Sequence, residues 1–179
     1  MSPARRARRP VQIAVAGGGR CSRRTQRLAQ AVGAEVAAAG AVLVCGGLGG
    51  VMEAAARGAA EGGGTVVGLV PSYDPARANR HLAVVIPTGM GHARNVLVAA
   101  AGDVLIALPG EHGTLAEIAL ARAIGRPVVA LAAWRTVAGL VYTRTAADAV
   151  RRALELAARP RRAGSGKALR RGGGRGSRF

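Results

Sequence analysis

AVLVCGGLGGVMEAAARGAAEGGGTVVGLVP (41–71) decides the fold. An apolar run, AVLVCGG (41–47), ends in paired glycines. Helix-forming residues follow, VMEAAARGAAEGG (51–63), and a second apolar run, TVVGLVP (65–71), closes the unit. Neither run alternates polar with apolar residues. Continuous apolar strands are buried on both faces, as in parallel sheets covered by helices. Strand, helix and strand in that order read as one βαβ unit.

The same order extends in both directions. VQIAVAG (11–17) reads as a first strand. A helix over 23–39 carries Leu28, Val32 and Val36 at helical spacing and closes at Gly40. AVVIP (83–87) reads as a fourth strand, followed by a helix over 91–101. DVLIALPG (103–110) reads as a fifth, followed by a helix over 114–125. RPVVALA (126–132) is a sixth, and a last helix runs from Ala146 to Ala158. Right-handed crossovers then give a Rossmann-like, doubly wound parallel sheet with helices on both faces, an α/β fold. Met52 and Met90 read as packing residues.

The chain has 179 residues, of which half are apolar, and a net charge of +17. That is one ordinary domain with a buried core. The charge is unevenly placed. Four Arg and no acid stand in 1–10, and seven Arg, one Lys and no acid in 159–179. Residues 11–158 keep only about +5. We expect 1–10 and 159–179 to be disordered basic tails around a domain at 11–158, capable of weak, nonspecific nucleic-acid contact through phosphate neutralisation. With few aromatics between the basic residues, a stacking platform for single strands is not expected. No apolar run is long enough for a transmembrane helix, and the apolar stretch after Arg5–Arg9 is too short for a secretory signal. Two cysteines, Cys21 and Cys45, make no disulfide framework, and small buried thiols are the simplest reading. These features point to a cytoplasmic protein with no membrane partner.

Four strand-to-helix turns are glycine-rich on one edge of the sheet: Gly17-Gly18-Gly19, Gly46-Gly47-Leu48-Gly49-Gly50, Gly89-Met90-Gly91 and Gly110-Glu111-His112-Gly113-Thr114. Glycines leave backbone N–H groups open, and each turn runs into a helix N-terminus with partial positive charge. That combination is a cradle for phosphate or another anion. It is neither GxGxxG nor a P-loop, since no third spaced glycine follows Gly17–Gly19 and no Gly-Lys-Ser/Thr occurs.

Two segments, GGLGGVMEAAARGAAEGGGTVVGLVP (46–71) and PTGMGHARNVLVAAAGDVLIALPGEHGTLAEIALA (87–121), resemble the LOG (Lonely Guy, "lysine decarboxylase-like") family. The likeness is to its bacterial branch similar to the molybdenum cofactor carrier protein. It implies a Rossmann-like nucleotide-binding fold and a homodimer or higher homo-oligomer. It also implies, for the family's enzymes, cleavage of nucleoside 5′-monophosphates to base and ribose 5-phosphate. Those enzymes carry a PGGxGTxxE loop and an upstream Arg, often Arg-Lys. Here the loop is Pro109-Gly110-Glu111-His112-Gly113-Thr114-Leu115-Ala116-Glu117, and the Arg is Arg94, followed by Asn95. Glu111 adds a Cβ and a negative charge to the phosphate loop, and Asn95 removes a cation. Gly110, Gly113, Thr114, Glu117 and Arg94 stay in place.

The candidate catalytic pair is Arg94 and Glu117. Arg94 would grip a phosphate or, alternatively, form a surface or interface ion pair. Glu117 would assist glycosidic cleavage, or complete a capping box with Thr114 in the first turn of its helix. Ligand-binding candidates are Gly17, Gly18, Gly46, Gly47, Gly49, Gly50, Glu53, Gly110, Gly113 and Thr114. Glu53 would reach a ribose or base, or only favour the helix dipole. Thr114 and Ser22 are hydroxyl donors or helix caps. His112 would donate to an anion or be an exposed loop residue, and His92 and His81 have no metal-ligand spacing, so no metal site is expected. The residues name no cofactor. The first reading is a binding protein for a phosphorylated nucleotide or nucleotide-like ligand, a pterin cofactor being one candidate. The alternative is a nucleoside 5′-monophosphate phosphoribohydrolase, and a third is a nucleic-acid accessory protein acting through its tails.

Overall fold

The structure, a computed structural model, describes residues 9–159. Seven strands form one parallel sheet: β1 (Gln12–Ala16), β2 (Val42–Cys45), β3 (Val66–Val70), β4 (Val84–Pro87), β5 (Val104–Ala107), β6 (Val128–Leu131) and β7 (Val141–Thr143). Their order is β4-β3-β2-β1-β5-β6-β7. The chain winds outward from β1, crosses back to β5 and winds outward again. The switch point of this doubly wound sheet therefore lies between β1 and β5.

Helices α1 (Arg23–Ala38), α2 (Val51–Glu61) and α5 (Ala146–Ala157) cover one face, and α3 (Asn95–Ala101) and α4 (His112–Ala123) the other. Successive residues of each central strand feed opposite cores. Ile13, Val15, Leu43 and Ile106 face the first layer, and Ala14, Ala16, Val44 and Leu105 the second. This is why the strands read as continuous apolar runs. Helices α1 and α2 meet at backbone distance, and a Cβ on Gly33 would lie 2.0 Å from the carbonyl oxygen of Ala55.

Several local expectations need correction. A seventh strand, β7, is three residues long and too short to stand out by its pattern. The helix expected over 91–101 is a 3-10 turn (Gly91–Arg94) followed by α3; Gly91, at φ +55, is outside the helical region. Helix α4 starts at His112, two residues early, so Thr114 is not its cap and Glu117 lies in the second turn. The cap position is Glu111, whose side chain makes no capping bond. Strand β4 is an edge strand with Val84, Ile86 and Pro87 exposed, not one covered on both faces; an edge tolerates proline.

The tails expected at 1–10 and 159–179 lie, except for residues 9, 10 and 159, outside the described residues. Arg9 pairs with Asp103, its Nη1 2.8 Å from Oδ2, and the same carboxylate accepts from the Gln12 amide. No helix among the described residues is long and apolar enough to cross a membrane.

Candidate ligand-binding site

At the switch point a cavity of about 200 Å³ opens beyond the carboxyl ends of the strands. It is lined by Gly17, Gly18 and Gly19 after β1 and by Leu48 and Met52 after β2. His92, Arg94 and Asn95, after β4, and Glu111, Gly113, Thr114 and Glu117, after β5, complete it. Each of the four expected loops, or the helix it enters, thus contributes to one concavity.

Backbone bonds knit the loops together. The Gly18 amide donates to the Pro109 carbonyl at 3.1 Å, and the Val51 amide to the Gly18 carbonyl at 3.0 Å. Asn79 clamps the second loop, its amide donating to Gly47 and its side chain to Leu48. Close approach sets the glycines here. A Cβ on Gly50 would sit 2.3 Å from the Gly18 oxygen, and one on Gly110 2.2 Å from Thr114 Oγ1. Gly46, Gly47, Gly49, Gly50 and Gly110 therefore do not line the cavity. Gly46, Gly47, Gly50 and Gly110 let neighbouring segments touch, whereas a Cβ on Gly49 would meet nothing closer than 3.5 Å. The Gly18 amide is spent on Pro109 and is not free for a ligand. The open donors are at the start of α4, where the first intrahelical bond runs from Leu115 N–H to the Glu111 carbonyl. The amides of His112, Gly113 and Thr114 precede it and have no helical acceptor.

The two candidate catalytic residues meet. Arg94 Nη1 lies 3.5 Å from Glu117 Oε1, and both side chains are buried. Arg94 ends the 3-10 turn; Glu117 faces it from α4. Nη1 also donates to Asn95 Oδ1 at 3.0 Å, and Nη2 reaches the Met52 sulfur. Nε is buried with no hydrogen-bond partner among the described residues. The surface-ion-pair alternative for Arg94 is thus replaced by a buried pair on the cavity wall. Burial pushes the Glu117 carboxyl up to about 7 against the opposing pull of Arg94. Burial also lowers the Arg94 guanidinium, which Glu117 and Cys45 oppose.

The other candidates are scattered. Glu53 is an exposed first-turn residue of α2 outside the cavity lining. Ser22 caps α1, accepting from the Thr25 amide at 3.1 Å. Thr114 is buried on the cavity wall and His112 is the exposed first residue of α4. Cys21 and Cys45 are free; burial holds the Cys45 thiol up at about 11. Met90 is exposed and not a packing residue, whereas Met52 is buried yet touches both cavity and Arg94.

Sequence reasoning missed His92, Asn95, Gly19 and Leu48 as lining residues. Asn95 entered only as a missing lysine. In the structure its side chain ties Arg94 to α4, its Nδ2 donating to the Gly113 carbonyl at 3.4 Å. The readable signal was position: His92 and Asn95 flank Arg94 on a strand-end segment.

Comparison with known proteins gives consistent relatives. The SLOG cluster4 family model matches residues 10–162. An uncharacterised protein of Archaeoglobus fulgidus is 42% identical over 140 residues, 78% of this chain and 92% of that one. The structure of the molybdenum cofactor carrier protein from Chlamydomonas reinhardtii superposes with a TM-score of 0.78 at 31% identity, covering 84% of this chain and 100% of that one. A cytokinin riboside 5′-monophosphate phosphoribohydrolase of Rhodococcoides fascians is 38% identical over 95 residues, 51% of this chain and 48% of that protein.

Proposed function

The chain belongs to the SLOG cluster4 family, and on that footing we propose that it binds a phosphorylated, nucleotide-like small molecule in the cavity between β1 and β5. The observation that carries this reading is the division of labour within the cavity. The α4 amides stand open to an anion, while Arg94 and Glu117 hold each other behind them. A phosphate on the α4 N-terminus would gain from the open N–H groups and the helix dipole. Arg94, buried and partnered, supplies positive potential without leaving its place. Gly17, Gly18, Gly113 and Thr114 would form the floor; Gly46, Gly47, Gly50 and Gly110 would hold that floor in shape.

The likeness to a molybdenum cofactor carrier supports a pterin phosphate as one ligand of this class. The residues present suit its phosphate end. Neither cysteine lines the cavity, so a metal carried on such a ligand would be held by the ligand and not by a thiolate of this chain.

A second reading, phosphoribohydrolase activity, is favoured by one observation. A carboxyl near 7 is suited to proton transfer at neutral pH. Against it stands the engagement of Asn95 where those enzymes often carry Lys; the charge of Glu111 at the loop opposes a phosphate in either reading. The family likeness also supports a homodimer or higher homo-oligomer, and the charge of the basic termini supports weak, nonspecific nucleic-acid contact.

Mass spectrometry of small molecules released from the purified, denatured protein tests the main reading, together with calorimetric titration of AMP and pterin phosphates. A phosphorylated ligand bound stoichiometrically and unchanged supports it. Absence of binding by all of them overturns it. Release of free base from AMP that Glu117→Gln abolishes would establish the second reading instead.

A further inference from the structure

A second and larger hollow, of about 360 Å³, lies beyond the carboxyl ends of β6 and β7. Ala132, Ala133, Arg135, Tyr142, Thr143 and Arg144 line it. Two arginines and no acidic residue thus line one concavity. Neither arginine forms an ion pair or side-chain hydrogen bond among the described residues, whereas Arg9, Arg94, Arg151 and Arg152 all pair with acids.

The backbone beneath the hollow is strained. Ala132 and Trp134 have φ of 58° and 63°, in the left-handed region that a Cβ disfavours. Nearby Gly139, at φ 78°, meets the same demand without strain. The strained segment is held from three sides. Trp134 Nε1 donates to the Leu108 carbonyl at 2.8 Å, at the end of β5. The Tyr142 hydroxyl lies within hydrogen-bond reach of the carbonyls of both Trp134 and Val137 and shares its one proton between them. The Ala132 amide donates to Thr143 at 3.2 Å. Strain fixed in this way concentrates at ligand clamps.

We propose that this hollow is a second oxyanion site, which takes the phosphoryl group of a small molecule between Arg135 and Arg144. Guanidinium groups grip phosphate through paired N–H···O bonds. Helix α5 begins just past Arg144, and its positive end adds to the field, its first-turn Asp148 being paired with Arg151 and Arg152. Tyr142 and the two alanines give the rest of the ligand an apolar wall. The site is independent of the reading of the first cavity, two strands away.

Trp134 is the chain's single tryptophan and sits in the clamp, so its fluorescence reports on this site; because it also bonds to Leu108, ahead of the first cavity's loop, the arginine variants assign the response. Pyrophosphate titrated into the full-length protein should give a saturable change in emission. Succinate at equal ionic strength should give none. Arg135→Ala and Arg144→Ala should each weaken the response about tenfold, and the double change to Lys, which keeps charge but loses the fork, should weaken it too. Arg23→Ala with Arg24→Ala, which removes equal charge from the exposed start of α1, should leave the curve unchanged. An emission that stays flat with pyrophosphate overturns the proposal. So does an equal response to succinate, or the same curve in wild type and the Arg135→Ala/Arg144→Ala protein.

Discussion

The guanidinium of Arg94 lies against the backbone of Gly46, where a Cβ would stand 2.4 Å from both Nη1 and Nη2. A glycine at the end of β2 thereby lets an arginine from the segment after β4 reach the carboxylate of Glu117. Glycine here is a matter of space for a neighbour's side chain, not of turn geometry or ligand approach.

Gly46→Ala should therefore displace Arg94 and break its buried pair with Glu117. Separating such a pair costs about 3 kcal/mol. Urea denaturation should show a lower midpoint with an unchanged slope, and ligand binding should weaken in parallel. A midpoint equal to that of wild type would mean that Arg94 has another way to lie.

Glu117 should give stability a distinctive pH dependence. Its folded value near 7 exceeds the ordinary carboxylate value. The native state therefore binds more protons than the unfolded chain between about 4.5 and 7, and stability falls as pH rises through that window. Glu117→Gln removes the ionisation. Relative to the variant, wild type should lose on the order of 3 kcal/mol from pH 4.5 to pH 7.5. Thermal melts of both proteins across that range check it; parallel curves would show that Glu117 titrates normally.

The architecture was legible because buried parallel strands are continuous apolar runs and four of them end in glycine-rich turns. The β2–α2–β3 unit and the order of the loops needed nothing else. Arg94 and Glu117 could be named from a motif, but their contact could not. It depends on Gly46 making room and on a helix that starts at His112, which the S/T-x-x-E pattern at Thr114–Glu117 concealed. Strand β4 was misread as covered on both faces because apolar composition does not say whether a layer lies above it. The roles of most site glycines were hidden for a related reason. Tight packing of one loop on another and a ligand cradle call for the same residue.

Helix packing offers a case where two effects have opposite sign. Gly58 sits inside α2, where alanine is favoured by about 1 kcal/mol on helix propensity. A Cβ there would lie 1.9 Å from the carbonyl oxygen of Gln30 in α1. Backbone cannot yield as a flexible side chain does, so the clash should win. Gly58→Ala should be destabilising by about 2 kcal/mol, read from chemical denaturation. A stabilised variant would show that α1 and α2 can separate without loss.

The outer faces of the two helix layers differ in charge, and this predicts where copies of the chain meet. Helices α1, α2 and α5 expose Arg23, Arg24, Arg27, Glu61, Arg151 and Arg152 among others. The exposed positions of α3 and α4 are Leu97, Ala100, Gly113, Leu115, Ala116, Ala119 and Ala123, with Arg122 their one full charge and His112 at the end. Beside them Val84 and Ile86 of β4 share a face with Val67 and Leu69, which pack in the α3–α4 core. They stay 46% and 43% exposed because α3 and α4 pack over the central strands instead. Two chains of net charge +17 repel broadly, and a nearly uncharged apolar face is where a second copy can approach at least cost. Light scattering of the full-length protein should give the mass of a dimer or larger assembly. Leu115→Asp with Ile86→Lys should shift it to monomer while the far-UV spectrum stays native. A wild-type protein that remains monomeric at about 100 μM, well above the Kd of a stable dimer, would remove this face from consideration.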